Sequence, residues 1–451
     1  MRVNRSYILL FALLIASGLF AQDVDRLGER TIMGTARYVG MSGAMTAIGG
    51  DPSAVRDNPA GLGVYQRSEI LVTGDVATDR TIQSGSVLPK RQTLLMIPQA
   101  SWVLSLSNSM LDEGVIGHNI MLSYHRLQSF RRAFSAEGEK DASLGALLGN
   151  YGINFGFPYC ADRYNNFQSL NIHESGYINE YSFDWGMNIS HKWYVGVGLH
   201  LQSLLFTSEG DYYETFNRTN AEGDTLYIEN ESSLTMSGVS CTSSVGFIYR
   251  PCQWVRLGLA VHTPSLGSLT TYSSGTFSAR TDSVRYSSAP ELDDATYAFH
   301  LPFRMSASVA AQIGSIGLIS LQYDYQRAIY RRSAIVAPPN QHTLKAGLEL
   351  VPINGLYINA GYAYESTFAR NDMLLGIDPT FDRQDAYFRA MQSSQYASFA
   401  LGYRGHFMIA QVAYQYRWQS MRIYAHENAA PYGIHTDTHR VVLTLGWHRG
   451  I

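Results

Sequence analysis

Charge is scarce in this chain. Only 16% of its 451 residues are Asp, Glu, Lys or Arg, against roughly 25% in an ordinary soluble domain, which argues against the hydrated surface of a cytosolic enzyme. Basic and acidic residues nearly balance, 34 against 37, for a formal net charge of −3. With no electropositive excess, a nucleic-acid partner is not expected. Cysteine is almost absent: Cys160, Cys241 and Cys252 form an odd, scattered set with no paired spacing. Neither a disulfide framework nor a zinc site is indicated, and small apolar fillers in or beside strands are favoured over a Cys241–Cys252 bridge. Beyond the N-terminus there is no run of about 18 uniformly apolar residues, which excludes a bundle of membrane helices. What the chain has instead is 30 Tyr, 19 Phe, 6 Trp and 40 Gly, with hydrophobic residues at 45%. That composition is too apolar for disorder. Low charge, abundant Tyr and Gly, and no membrane helices point together to a membrane β-barrel.

The first residues read as a sorting label. Arg2 and Arg5 form a basic start, Ile8 to Phe20 an apolar core, and Leu19-Phe20-Ala21 a cleavage site. Residues 1–21 are therefore expected to be a secretory signal peptide, with the mature chain starting at Gln22. Because position 22 is not Cys, no lipoprotein acylation site is present.

From about residue 68 onward the sequence alternates. Tyr181, Phe183, Trp185, Met187 and Ile189 interleave with Glu180, Ser182, Asp184, Asn188 and Ser190, and Ile319, Leu321, Tyr323 and Tyr325 with Ser320, Gln322, Asp324 and Gln326. Successive side chains of a strand point to opposite faces, so each segment has one apolar and one polar face. Fourteen such segments are expected, at about 68–79, 95–107, 115–128, 175–191, 192–206, 232–250, 253–281, 300–314, 315–328, 341–351, 355–367, 394–405, 406–421 and 436–449. The seventh, through Pro264, is read as one long bent strand. Connections after even-numbered segments are mostly tight, such as Asn354-Gly355, whereas those after odd-numbered ones are long, as at about 129–174. Short turns on one side, long loops on the other and an even total are the pattern of an outer-membrane barrel. The expected fold is all-β, a 14-stranded antiparallel transmembrane β-barrel spanning residues 68–451. Polar strand residues such as Glu180, Asp184, Arg304, Asp324 and Glu349 are expected to line a wet interior.

A barrel of that size has a lumen wide enough to need an obstruction. Residues 22–67 supply a candidate, a small N-terminal hatch or plug. Small residues dominate positions 34–63, Asp51-Pro52 fits a helix start, and Asn58-Pro59 fits its end.

The run Gly49-Gly50-Asp51-Pro52-Ser53-Ala54-Val55-Arg56-Asp57-Asn58-Pro59-Ala60-Gly61-Leu62, placed between a signal peptide and the first strand, resembles the FadL/TodX (OMPP1) family of outer-membrane transporters, in a Bacteroidetes-type version. Leu301-Pro302-Phe303-Arg304 opens a strand in a similar way, while the terminal Trp447-His448-Arg449-Gly450-Ile451 lacks the final Phe common among such barrels. The resemblance implies a hatch marked by Asn58, Pro59, Ala60 and Gly61, and passive uptake of hydrophobic small molecules, fatty-acid-like or aromatic. It also implies a monomeric barrel among outer-membrane lipids of a Gram-negative bacterium, and a kinked strand as a side exit, for which Gly117 is a candidate. An alternative within the same architecture is a PorV-like barrel that binds secreted cargo or secretion-machinery partners.

The loops offer separate support. Leu144, Leu147, Leu148 and Tyr151 fall on one face of a short helix, followed by Phe155 and Phe157. Such apolar content in an external loop fits a ligand-receiving surface or a local mini-core, and these six residues are candidate ligand contacts. Catalysis is not expected: there is no Gly-x-Ser-x-Gly elbow, the 13 histidines are dispersed, and no cofactor or metal is called for.

Overall fold

A computed structural model describes residues 28–83, 89–107, 113–140, 166–217, 225–280, 285–287, 291–299, 301–327, 340–366, 388–424 and 431–448. Its strand segments join into fourteen antiparallel wall strands. In chain order these are β1 (Glu69–Gln83), β2 (Lys90–Ser107), β3 (Val115–Ser129 continued by Arg132–Lys140), β4 (Asn166–Ile189), β5 (Trp193–Asn217) and β6 (Thr225–Cys252). There follow β7 (Val255–His262 continued by Leu266–Arg280) and β8, built from Arg285–Ser287, Glu291–Phe299 and Arg304–Ile313. The last six are β9 (Gly317–Gln326), β10 (Gln341–Ile353), β11 (Leu356–Glu365), β12 (Phe388–Arg404), β13 (Met408–Tyr424) and β14 (Tyr432–His448). Each pairs with its sequence neighbour, and β1 pairs with β14 from Glu69–His448 to Gln83–Ile434, which closes the barrel. Closure leaves no strand edge, the condition for a sheet to stand in hydrocarbon.

The period of two decides which side chains face out. Tyr181, Phe183, Leu199, Leu201, Ile319, Leu321, Val412, Tyr414, Leu443 and Leu445 are exposed on the outer surface, while Ser182, Asp184, His200, Gln202, Ser320, Gln322 and Thr444 between them are buried. Cys241 and Cys252 both lie on β6, exposed and unbridged, and Cys160 falls outside the described residues.

Two expectations need correction. Strands run further than the apolar alternation does: the stretch read as a loop at 129–174 carries β3 to Lys140 and β4 from Asn166, and β5 and β6 reach Asn217 and Thr225. These extensions present His173, Glu209, Asp211 and Glu231 outward, so they lack the greasy face that marks a strand in lipid. The seventh segment is also not one continuous strand. It is interrupted at Thr263-Pro264-Ser265, and β8 is interrupted at the same level between Phe299 and Arg304, where Phe299 pairs with Gly267 and Arg304 with His262. Inside that gap Ser265 and Leu301 hold each other: the Ser265 N–H donates to the Leu301 carbonyl at 3.1 Å, and the Leu301 N–H donates to Ser265 Oγ at 2.7 Å.

Candidate functional site

Residues 28–65 lie within the ring of strands, in contact with inward-facing groups all round it. Thr444 Oγ1 on β14 accepts from the Ala36 N–H, Gln322 Oε1 on β9 from the Thr46 N–H, and Asn119 Nδ2 on β3 donates to the Leu62 carbonyl. Local chemistry shapes the segment. Helix α1 (Ala36–Gly40) is capped by the Thr35 hydroxyl, and helix α2 (Pro52–Asp57) by Asp51, whose carboxylate accepts from the Ser53 N–H at 2.9 Å. Asn58 ends α2 in an extended conformation, as a residue before proline must, and starts the 3-10 turn Pro59–Val64 by accepting from the Ala60 N–H at 3.1 Å. Its amide nitrogen donates to the Thr46 carbonyl at 2.8 Å and to the Phe247 carbonyl of β6 at 3.3 Å. One asparagine thereby joins the end of a helix, the start of a turn, a second stretch of the segment and the wall. Gly61 packs on Gly49 so closely that a Cβ on either would overlap the other's backbone.

The wall answers with glycines. Gly186, Gly196 and Gly246 are directly opposite one another on β4, β5 and β6, and a Cβ on any of them would overlap Asn58, Pro59, Ala60 or Leu62. Gly347 and Gly361 form a second such pair on β10 and β11, beneath Met41 and Ser42. Two stripes of missing side chains are thus the seats on which the N-terminal segment rests.

Ion pairs complete the contact. Arg37 grips Glu349 of β10 through Nε at 2.6 Å and Nη2 at 2.8 Å, and Asn359 donates to the same carboxylate at 2.8 Å. Asp57 faces Arg56 at 3.1 Å and Arg304 of β8 at 3.4 Å, accepts from the Tyr38 hydroxyl, and passes its backbone carbonyl to His262 of β7 at 2.9 Å. Burial pushes the Asp57 carboxyl up, but Arg56, Arg304 and Lys345 outweigh it and hold the group below the usual carboxylate range. Burial and the neighbouring Asp57 push the Tyr38 hydroxyl up to about 12. Asp51 moves the other way from Asp57: burial raises its carboxyl against the pull of Arg37 and the Thr35 hydroxyl. Of the polar wall residues expected to line a wet interior, Glu180, Asp184 and Glu349 are buried and Arg304 and Asp324 half-buried, with Arg304 and Glu349 paired to the segment, Asp324 to Lys345 at 2.7 Å, and Glu180 accepting from Gln202 at 2.7 Å.

One step further along the same inward faces the chemistry changes. On β5 the inward series runs His200, Gln202, Leu204, Phe206; on β4, Asp184 and Glu180 give way to Ile178. Leu127, Phe130, Ile178, Leu204, Phe206, Leu234, Met236, Leu269 and Leu301 make one buried apolar cluster, with the Phe130 and Phe206 rings edge-to-face at 5.0 Å. Leu301 lies inside the interruption shared by β7 and β8, and Leu269 a few residues beyond it. Beyond this layer, Phe134, Leu170, Ile172 and Tyr212 of β3–β5 meet Met421, Ile423, Tyr432 and Ile434 of β13–β14. The Gln83 side chain clasps the Glu137 backbone there, donating at 2.7 Å and accepting at 2.9 Å.

Of the residues singled out from sequence, Asn58, Pro59, Ala60 and Gly61 sit at the main glycine seat. Leu144, Leu147, Leu148, Tyr151, Phe155 and Phe157 fall outside the described residues. Gly117 flanks a one-residue register shift in β3, and a second shift falls between Arg126 and Gln128, next to the apolar cluster. That cluster was not anticipated, although Leu204-Leu205-Phe206 signals it: three consecutive apolar residues in an alternating strand make both faces greasy. Among the described residues, no group of three or more His, Cys, Asp or Glu could hold a metal ion.

No family model matches the chain, and no curated protein matches it in sequence. Solved structures do match. A FadL homologue of Pseudomonas aeruginosa superposes with a TM-score of 0.56 at 12% identity, covering 93% of this chain and 99% of its own. The toluene transporter TodX of Pseudomonas putida gives 0.53 at 11% identity over 94% of this chain and 99% of its own, and a TodX deletion mutant described as a monoaromatic hydrocarbon channel gives 0.55 at 11% identity, over 93% and 99%. At such identities the likeness is one of fold: this chain has the outer-membrane β-barrel fold of the FadL homologue and TodX.

Proposed function

We propose that this protein is a non-enzymatic outer-membrane channel of a Gram-negative bacterium for passive passage of hydrophobic small molecules, fatty-acid-like or aromatic. Residues 22–67 act as its hatch. The observation that carries the reading is the apolar layer of Leu127, Phe130, Ile178, Leu204, Phe206, Leu234, Met236, Leu269 and Leu301. It is stacked on the buried charges that hold the N-terminal segment. Apolar side chains facing the lumen of a barrel have no lipid to meet, so their placement suits an apolar solute held on its way through. A barrel whose task is docking protein cargo at its rim has no use for such a layer at mid-depth. The fold shared with a toluene transporter supports the same reading.

In this mechanism solute enters past the external loops, where Leu144, Leu147, Leu148, Tyr151, Phe155 and Phe157 are its proposed first contacts. It partitions into the apolar layer and descends when the hatch shifts off its glycine seats. The step is downhill and needs no cofactor. Native mass spectrometry of the purified barrel, followed by extraction, tests it: a retained acyl or aromatic molecule is expected in wild type and its loss in Phe206→Asp. An empty wild-type barrel, together with solute passage into liposomes that Phe206→Asp leaves unchanged, overturns the proposal.

A further inference from the structure

The short-turn end of the lumen holds a cavity of about 570 Å³ that the passage described above does not use. It lies against Ile48, Gly49, Gly50 and Tyr65 of the N-terminal segment and opens among the turns that join the strands. Its ionisable lining is one-sided: Arg37, Arg67, Arg256, Arg404 and His448 stand against a single lining carboxylate, Glu69. Two of the four guanidinium groups are already matched, Arg37 by Glu349 and Arg404 by Glu69 at 3.4 Å. The other two are not. Arg256 donates only to the Ile48 carbonyl, at 2.9 Å, and Arg67 is exposed; neither forms an ion pair among the described residues. The same lining offers flat apolar surface in Trp254 and Tyr357.

A partly enclosed cavity with two unmatched guanidinium groups and aromatic walls has one chemical preference. Guanidinium forks match the oxygens of carboxylate and phosphate, and aromatic faces take hydrocarbon. The volume falls within the roughly 300–1,000 Å³ of ordinary small-molecule sites. We infer that this cavity binds an organic oxyanion, a carboxylate or phosphate monoester with an apolar tail, with Arg67 and Arg256 holding the anion and Trp254 and Tyr357 bordering the tail. The inference rests on the channel reading only for one source of the ligand, an acid arriving through the hatch. The other source is a phosphate-bearing lipid of the facing leaflet.

Fluorescence quenching tests it with three brominated ten-carbon probes, an alkyl carboxylate, an alkyl phosphate and an alcohol, on the full-length barrel in detergent. Saturable quenching by at least one anion is expected, absent in Trp254→Phe, with an apparent Kd at least tenfold weaker in Arg67→Gln/Arg256→Gln and weaker in high salt. Tighter binding of the carboxylate assigns the site to a transported acid, and tighter binding of the phosphate to a lipid headgroup. Heat-modifiable gel mobility checks that the double variant remains a folded barrel. Equal quenching by the alcohol, or an unchanged Kd in a folded double variant, overturns the site. Passage of neutral p-xylene into liposomes by wild type reports on the channel separately, so failure of one reading is distinguishable from failure of the other.

Discussion

The lower and middle lumen are built on the same strands yet ask opposite things of them. Near the short-turn rim, β4, β5 and β6 turn Gly186, Gly196 and Gly246 inward and surround them with Asp184, His200 and Ser244. A few residues along, the same strands turn Ile178, Leu204, Phe206, Leu234 and Met236 inward. The first region is made to receive a backbone, and the second lines the lumen with apolar side chains. The difference teaches that in a barrel the dyad repeat decides only which residues face the lumen. Composition along the inward face sets depth, from seat to apolar layer.

Substitutions can break that division. The largest effect is expected from Gly246→Val, whose side chain would overlap Asn58, Pro59 and Ala60. The N-terminal segment should leave its seat, and single-channel conductance in planar bilayers should rise at least tenfold. Gly74→Val, where an added Cβ meets nothing within 4 Å, should leave conductance at the wild-type level. Asp57→Asn comes next. It leaves Arg56 and Arg304 without their shared buried carboxylate, at a cost of about 3–5 kcal/mol. Hydrogen exchange over residues 51–64 should speed accordingly, while the strands keep their protection. Phe206→Asp carries the polar character of the lower lumen into the middle one. Passage of a hydrophobic solute into liposomes should fall about tenfold, with conductance unchanged. The smallest effect concerns pH. Asp57 is held below the usual range, so its contribution is fully present above an ordinary carboxylate value near 4 and is lost only as pH falls through its own lower value. Asp51 is raised, so its ionised form opposes docking and acidification relieves that. Exchange protection of residues 36–64, corrected for intrinsic rates, should therefore be no lower at pH 5 than at pH 7.

How much of this was legible in the sequence follows from what each feature depends on. The fourteen strands were legible because each carries its own alternation and the turns are short: Tyr181 and Phe183 face out and Ser182 and Asp184 face in, as their spacing requires. Strand ends were not, because outward Glu209, Asp211 and Glu231 look like loop once the strand leaves the apolar belt. The Asn58-Pro59 turn was readable from proline's effect on its predecessor. The glycine seats were hidden, because Gly186, Gly196 and Gly246 become neighbours only through strand register. The apolar layer was hidden for a related reason. It draws on five strands and on the break within β8, and only Leu204-Leu205-Phe206 betrays it locally. The loop residues from Leu144 to Phe157 lie outside the described residues.

The interruption shared by β7 and β8 has one more consequence. Pro264 and Pro302 fall within it, one on each strand. Proline carries no amide hydrogen, so the two residues leave no donor thirsting for an acceptor where both strands lose their regular ladder. An irregular seam is thereby tolerable in oil, with Ser265 and Leu301 as the rivet that keeps its two staves together.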